Sequence, residues 1–212
     1  MKFLMVLLAV FMLGGCNMEG KAPITSELPS ILPSEMPSIL PSALPTAEPT
    51  IKPTAAATES PVALGTYITR ILDTDPNRVN NLQICASVLE GVTVGPGEEF
   101  SFNTTVGMRT GEKGYEEAKI LVCGEREYAV GGGICQISST LYNAAEDAGM
   151  EITERHNHTG EVHYVEIGRD AAVSFGEQDF RFRNPLDVPV RISITVENTE
   201  VKAVLYKIVT QA

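Results

Sequence analysis

The chain has 212 residues, with 16 Lys or Arg against 27 Asp or Glu and a net charge of −11 at neutral pH. That excess of acid argues against nucleic acid as a partner, and against adhesion to anionic lipid headgroups or wall polymers by charge alone. Three histidines and four cysteines are few enough to weigh singly.

Lys2 precedes an uninterrupted apolar run, Phe3 to Leu13. It is too short for the roughly 20 residues a spanning helix needs, and it suits the apolar region of a signal peptide. The run ends in LGGC, small residues before Cys16, the pattern of a bacterial lipoprotein cleavage site. Residues 1–15 are thus expected to be a lipoprotein signal, with Cys16 carrying the lipid that anchors the chain to the outer face of the cytoplasmic membrane. Prolines then fall at 29, 33, 37, 41, 45, 49 and 53. Proline lacks an amide donor and clashes with a helical predecessor, so 16–61 reads as an extended, semi-rigid stalk.

Residues 62–212 fit one domain, with 13 basic and 22 acidic side chains. Asp75-Pro76 predicts a helix N-cap and first turn, followed by Val79, Leu82, Cys85, Ala86 and Leu89 at helical spacing and a stop at Gly91. GPGEEFSFN is a turn and a short extended piece. Lys119–Cys123 and Tyr128–Val130, on either side of Gly124, suit a hairpin. Three glycines, 131 to 133, lead into a helix from Ile134 to Ala148, ended by Gly149. Afterwards EITERH, VHYVEI, AAVSF, FRFR, VRISITV and VKAVLYKI are short β-rich runs. The predicted class is α+β, with N-terminal helices followed by an antiparallel sheet. Of the cysteines beyond Cys16, a Cys85–Cys123 bridge leaving Cys135 free is allowed by arithmetic alone.

Wound at about 100° per residue, the second helix gathers Ile134, Ile137, Leu141, Ala144, Ala145 and Ala148 on one face. Cys135, Ser138, Ser139 and Tyr142 gather on another. A cysteine at a helix start, off the apolar stripe, has its thiolate favoured by unsatisfied amides and the dipole. The glycines permit close approach of a substrate, and amides there suit an oxyanion. A cysteine nucleophile needs a base and an orienting group. The histidines, His156, His158 and His163, all lie in RHNHTGEVHY, and Asp170 follows. His158 is the candidate base and Asp170 the orienter. The order Cys, His, Asp is that of papain-like and transglutaminase-like thiol enzymes, and the expected arrangement follows theirs. A His-x-His pair also suits zinc, but no metal and no cofactor is expected.

PGEEFSFN, GMRT, GYEEA, GGGICQISSTLYNAA, ERHNH, Tyr164, GRDAAV and DFRFRN together resemble the VanW-like family, from Arg78 to about Val196. The resemblance implies a bacterial cell-wall context; some members neighbour glycopeptide-resistance genes. Arg109 and Arg155 fall in these motifs and either hold a peptide carboxylate or pair with an internal acid. Asn103, Tyr115 and Gln136 line the same cleft or satisfy turn amides, and Ser139 shares the cysteine's face. Two expectations stand side by side. One is a thiol-dependent acyl transferase or amidase on peptidoglycan peptides. The other is a non-catalytic module that binds peptidoglycan or its precursor; a structural envelope partner is a third, more remote reading.

Overall fold

In the computed structural model the described residues are 59–122, 125–197 and 199–210. The expected signal sequence, Cys16, the proline repeat and Cys123 lie outside them, and with Cys123 the Cys85–Cys123 pairing.

The first element is a strand, β1 (Glu59–Arg70), which starts within the tail of the proline-rich region and precedes the helices. It runs antiparallel to the last strand, β9 (Glu200–Thr210), with a bulge between Ala63 and Gly65. Gly65 is required there: a Cβ would lie 2.3 Å from the Ala144 carbonyl oxygen. With β8 (Val190–Glu197) and β2 (Thr93–Val94) these strands form an antiparallel sheet of order β1-β9-β8-β2. A second sheet orders β3 (Glu99–Ser101), β7 (Arg181–Arg183) and β6 (Glu151–Glu154). The expected hairpin is present as β4 (Glu117–Val122) and β5 (Glu125–Val130).

Helix α1 (Pro76–Leu89) begins as its sequence dictates. The Asp75 carboxylate accepts from the amides of Asn77 and Arg78, and Pro76 occupies a first-turn position where no amide is needed. A short helix α2 (Phe102–Val106) is capped by Ser101. Helix α3 (Ile134–Asp147) packs on β1 and β9, while α1 packs on β8. Leu82, Leu89, Ile137, Leu141, Ile192 and Leu205 are fully buried between these layers. The class is α+β, as expected, but a strand from the start of the domain pairs with one from its end.

Two of the anticipated strands do not form. VHYVEI is irregular, and AAVSF contributes only isolated bridges, His156 to Ala172 and Ser174 to Gln178. The reason lies in α3, whose polar face is not left to solvent. Ser138, Ser139, Thr140, Tyr142 and Asn143 are all buried. The side chains of Ser138, Ser139 and Asn143 bond the backbone of the segment after Gly168, so that segment is held by side chains rather than by a strand ladder. Ser138 donates to the Ala171 carbonyl at 2.6 Å, Ser139 accepts from the Ala171 amide at 2.9 Å, and Asn143 donates to the Arg169 carbonyl at 2.8 Å.

Candidate functional site

Cys135 is the second residue of α3, and the glycines before it are fixed by packing. Gly133 caps the helix with φ +105, a conformation that favours glycine. At Gly132 a Cβ would meet the Ala118 carbonyl oxygen at 2.3 Å. Buried Asn81 of α1 donates to the Gly132 carbonyl at 3.0 Å and exchanges bonds with the backbone of Glu116. The start of α3 is thereby locked between α1 and β4, which fixes where the sulfur sits.

The base and its orienter arrive on the segments tied to the polar face of α3. The Ala172 amide donates to the His156 carbonyl, so residues 156–158 lie beside 170–172. Asp170 Oδ2 then receives the His158 amide at 2.7 Å and contacts His158 Nδ1 at 2.6 Å. Nδ1 being committed, the other ring nitrogen is left for the sulfur, and His158 is the side-chain hydrogen-bond partner of Cys135 in its titration. In its thiol form Cys135 donates to the Val173 carbonyl at 3.6 Å.

The three groups perturb one another. Burial alone pushes the Cys135 thiol up, but the hydrogen bond and positive charge of His158 outweigh it, with smaller help from Arg109, and hold the thiol below its ordinary value. Burial pulls His158 down, while the neighbouring thiolate and then Asp170 outweigh it and raise the imidazole above its usual value. For Asp170, burial acts upward and the bonds from His158 act downward more strongly, so its carboxyl sits below the usual range. The combination favours a thiolate–imidazolium pair backed by a carboxylate. Cys135 is only partly buried and opens on a cleft of about 710 Å³. By contrast Cys85 is fully enclosed, and burial pushes its thiol up to about 12. It is a packing residue.

The other anticipated contacts divide. Arg109 and Gln136 line the cleft. Gln136 is itself buried and donates to Thr69 Oγ1 and the Arg70 carbonyl, while its own oxygen accepts from Arg78. Ser139 bonds the Cys135 carbonyl at 2.7 Å and works as a staple. Arg155 is spent on backbone: Nε donates to the Asp170 carbonyl and Nη2 to that of Gly168, both at 2.6 Å. Its guanidinium lies over the Tyr142 ring and holds the Asp170 loop. Tyr115 is buried in the core, off the cleft, and burial pushes its phenol up to about 12. Asn103 accepts from Arg109 and donates to the carbonyls of Ser174 and Gln178. His156 pairs with Glu154 at 2.9 Å, and exposed His163 approaches Glu161 at 3.8 Å. Among the described residues no group of three or more His, Cys, Asp or Glu side chains is arranged to hold a metal ion.

Two cleft residues had no assigned part in the sequence reading. Arg78 is 57 positions before Cys135 on another helix, so only the fold brings it in; its guanidinium lies against Gly133. Tyr164 falls in VHYVEI, where a strand pattern masked it. Burial and the Cys135 charge push its phenol far up, so it stays protonated beside Ser139.

The family model described as "VanW like protein" matches residues 77–206. The "Uncharacterized protein YoaR" of Bacillus subtilis (strain 168) is 49% identical over 129 residues, covering 61% of this chain and 43% of that protein. The "Vancomycin B-type resistance protein VanW" of Enterococcus faecalis (strain ATCC 700802 / V583) is 31% identical over 130 residues, covering 59% of this chain and 47% of the relative. The chain thus spans under half the length of these relatives. No solved structure shows a significant match, so the anticipated papain-like arrangement has no counterpart to support it. Cys135, His158 and Asp170 all fall inside the matched span, which covers more than half of the chain: it belongs to the VanW-like family.

Proposed function

We propose that this chain is a thiol-dependent acyl transferase or amidase acting on peptides of the bacterial cell wall. In this reading Cys16 carries a lipid anchor and the proline-rich stalk holds the domain off the outer face of the cytoplasmic membrane. The observation that carries it is the unbroken line from Asp170 through His158 to a polarised Cys135 at the wall of a cleft. Membership in a family with a relative named for vancomycin resistance supports the cell-wall setting.

The chemistry follows from the residues. The Cys135 thiolate adds to an amide carbonyl, forming a C–S bond, and the oxyanion faces the Cys135 amide at the start of α3, the neighbouring Ile134 and Gln136 amides being given to the carbonyls of Gly131 and Gly133. The amide C–N bond breaks, and the imidazolium of His158 gives its proton to the departing amine. Asp170 keeps the ring oriented and stabilises its charge. The acyl group then sits on Cys135 as a thioester. Water or a second amine attacks it, passing a proton to His158, and the C–S bond breaks to return the pair.

The test is incubation of the purified chain with muropeptides, followed by mass spectrometry of products and of the Cys135 peptide. The expected result is shortened or newly cross-linked peptides, an acyl adduct on Cys135, and loss of both in Cys135→Ser. An unchanged muropeptide profile with no adduct, while the chain still binds sacculi, contradicts the enzyme and leaves the non-catalytic binding module.

A further inference from the structure

The domain is acidic, with 22 acids against 13 bases, yet the cleft reverses that balance. Four Lys or Arg side chains line it against three Asp or Glu, and one of the acids, Asp73, is already paired with Lys119 at 3.4 Å. Two of the cations lie against the glycine run. Arg109 packs its aliphatic stem on Gly131, and Arg78 packs on Gly133, which places both side chains beside the backbone that leads to Cys135.

Their hydrogen bonding is incomplete in a specific way. Arg109 donates from Nη1 to Asn103 Oδ1 at 2.7 Å and stacks on Phe102, but Nε and Nη2 are buried without a partner. Those two nitrogens form the side-on edge of a guanidinium, the edge that grips a carboxylate with two parallel bonds. Arg78 donates from Nη2 to Gln136 at 3.0 Å and leaves Nε unpartnered. Neither has a carboxylate at ion-pair distance among the described residues. Three other arginines are spent: Arg155 on carbonyls, Arg169 on Asn143, Arg181 on Asp179. A buried cation with unmade bonds is costly to keep unless a ligand completes it. Both arginines are also held in place beforehand, Arg109 by Asn103 and Arg78 by the Thr69–Gln136 chain.

We propose that Arg109, assisted by Arg78, is the specificity site for a free carboxylate carried by the substrate close to the amide that Cys135 attacks. This deepens the thiol-enzyme reading and rests on it for the identity of the reacting amide. It narrows the substrate class to peptides with an unblocked carboxylate near the scissile bond, such as a free C-terminus or an acidic side chain. Peptides whose nearby carboxylates are amidated are excluded.

Binding separates this inference from the chemistry. The full chain with Cys135→Ser is titrated with muropeptides, and with the same muropeptides after methylamidation of their carboxylates by a carbodiimide. Amidation is expected to weaken binding tenfold or more while Arg109 is present. Arg109→Gln should bind both forms alike, and Arg109→Lys, which keeps charge but lacks the fork, should fall between. If Arg109→Gln is unfolded by circular dichroism, Arg78→Gln is read in its place, with the same loss of discrimination expected. Equal binding of the two forms with both arginines intact, binding of neither form, or discrimination that survives Arg109→Gln overturns the proposal. Iodoacetamide labelling of the chain with its native Cys135 reports on the nucleophile separately, so a failed carboxylate site and a failed nucleophile give different results.

Discussion

The four-stranded sheet and the segment from Arg155 to Phe175 are held together by different forces. In the sheet, alternate residues of β8 and β9, such as Val190, Ile192, Val201, Ala203 and Leu205, are fully buried and the ladder satisfies the backbone. In the segment there is almost no ladder. Its carbonyls and amides are met one at a time by Ser138, Ser139, Asn143 and Arg155. Apolar packing tolerates small adjustments, whereas a stapled backbone is placed by each polar atom separately. That is how an irregular segment puts His158 and Asp170 in register with a cysteine on a helix.

The comparison predicts separable failures. The largest effect on stability belongs to the sheet: Leu205→Ala should cost about 2–5 kcal/mol. Urea denaturation measures it, and the pH profile of Cys135 labelling should be unchanged at a temperature where the variant is folded. Ser139→Ala should cost less, about 1–3 kcal/mol, because it orphans the buried Ala171 amide. It should nevertheless alter the labelling rate of Cys135, since Ser139 also ties the Cys135 carbonyl to the irregular segment that carries Asp170. A Ser139→Ala variant that is destabilised yet labels like the parent would break the distinction between the two regions.

Asp170 gives the smallest and most diagnostic stability effect. Its folded value lies below the unfolded carboxylate value of about 3.9. Its contribution is therefore fully present above that value and is lost as pH falls through the folded one. Between about pH 4 and pH 2 the parent should lose stability more steeply than Asp170→Asn, as read from urea midpoints across that range. Parallel curves would mean that Asp170 is not paired as described.

Local signals made much of the fold legible. Asp75-Pro76 marks the start of α1, and Gly149 marks the end of α3, because caps and turns are fixed by adjacent residues. β1 had no such signal, since Pro61 and Gly65 interrupt its pattern and its partner β9 lies at the other end of the chain. VHYVEI and AAVSF carry strand-like alternation, but at Arg169 and Ala171, next to and within these runs, side chains of α3 take backbone groups a ladder would use. The polar stripe of α3 was correctly separated from the apolar one, and the sequence had no means to show that it too is covered. Cys135 and His158 could be singled out because cysteine and histidine are scarce here; Asp170, one of 27 acids, was offered from its place after the histidines, and the fold sets it against His158. Arg155 and Tyr115 were offered as contacts from the motifs they fall in; the fold gives Arg155 to the Asp170 loop, where it also pairs with the Asp170 carboxylate, and Tyr115 to the core.

The central claim is that His158 and Asp170 hold Cys135 as a reactive thiolate. Its most direct measurement is the rate of iodoacetamide labelling at Cys135, mapped by peptide mass spectrometry from pH 5 to 9, in the parent and in His158→Ala. The account predicts a parent midpoint below the ordinary thiol value of about 8.5, and a shift up toward it in the variant. A parent midpoint at or above that value, or one unmoved by His158→Ala, would contradict it.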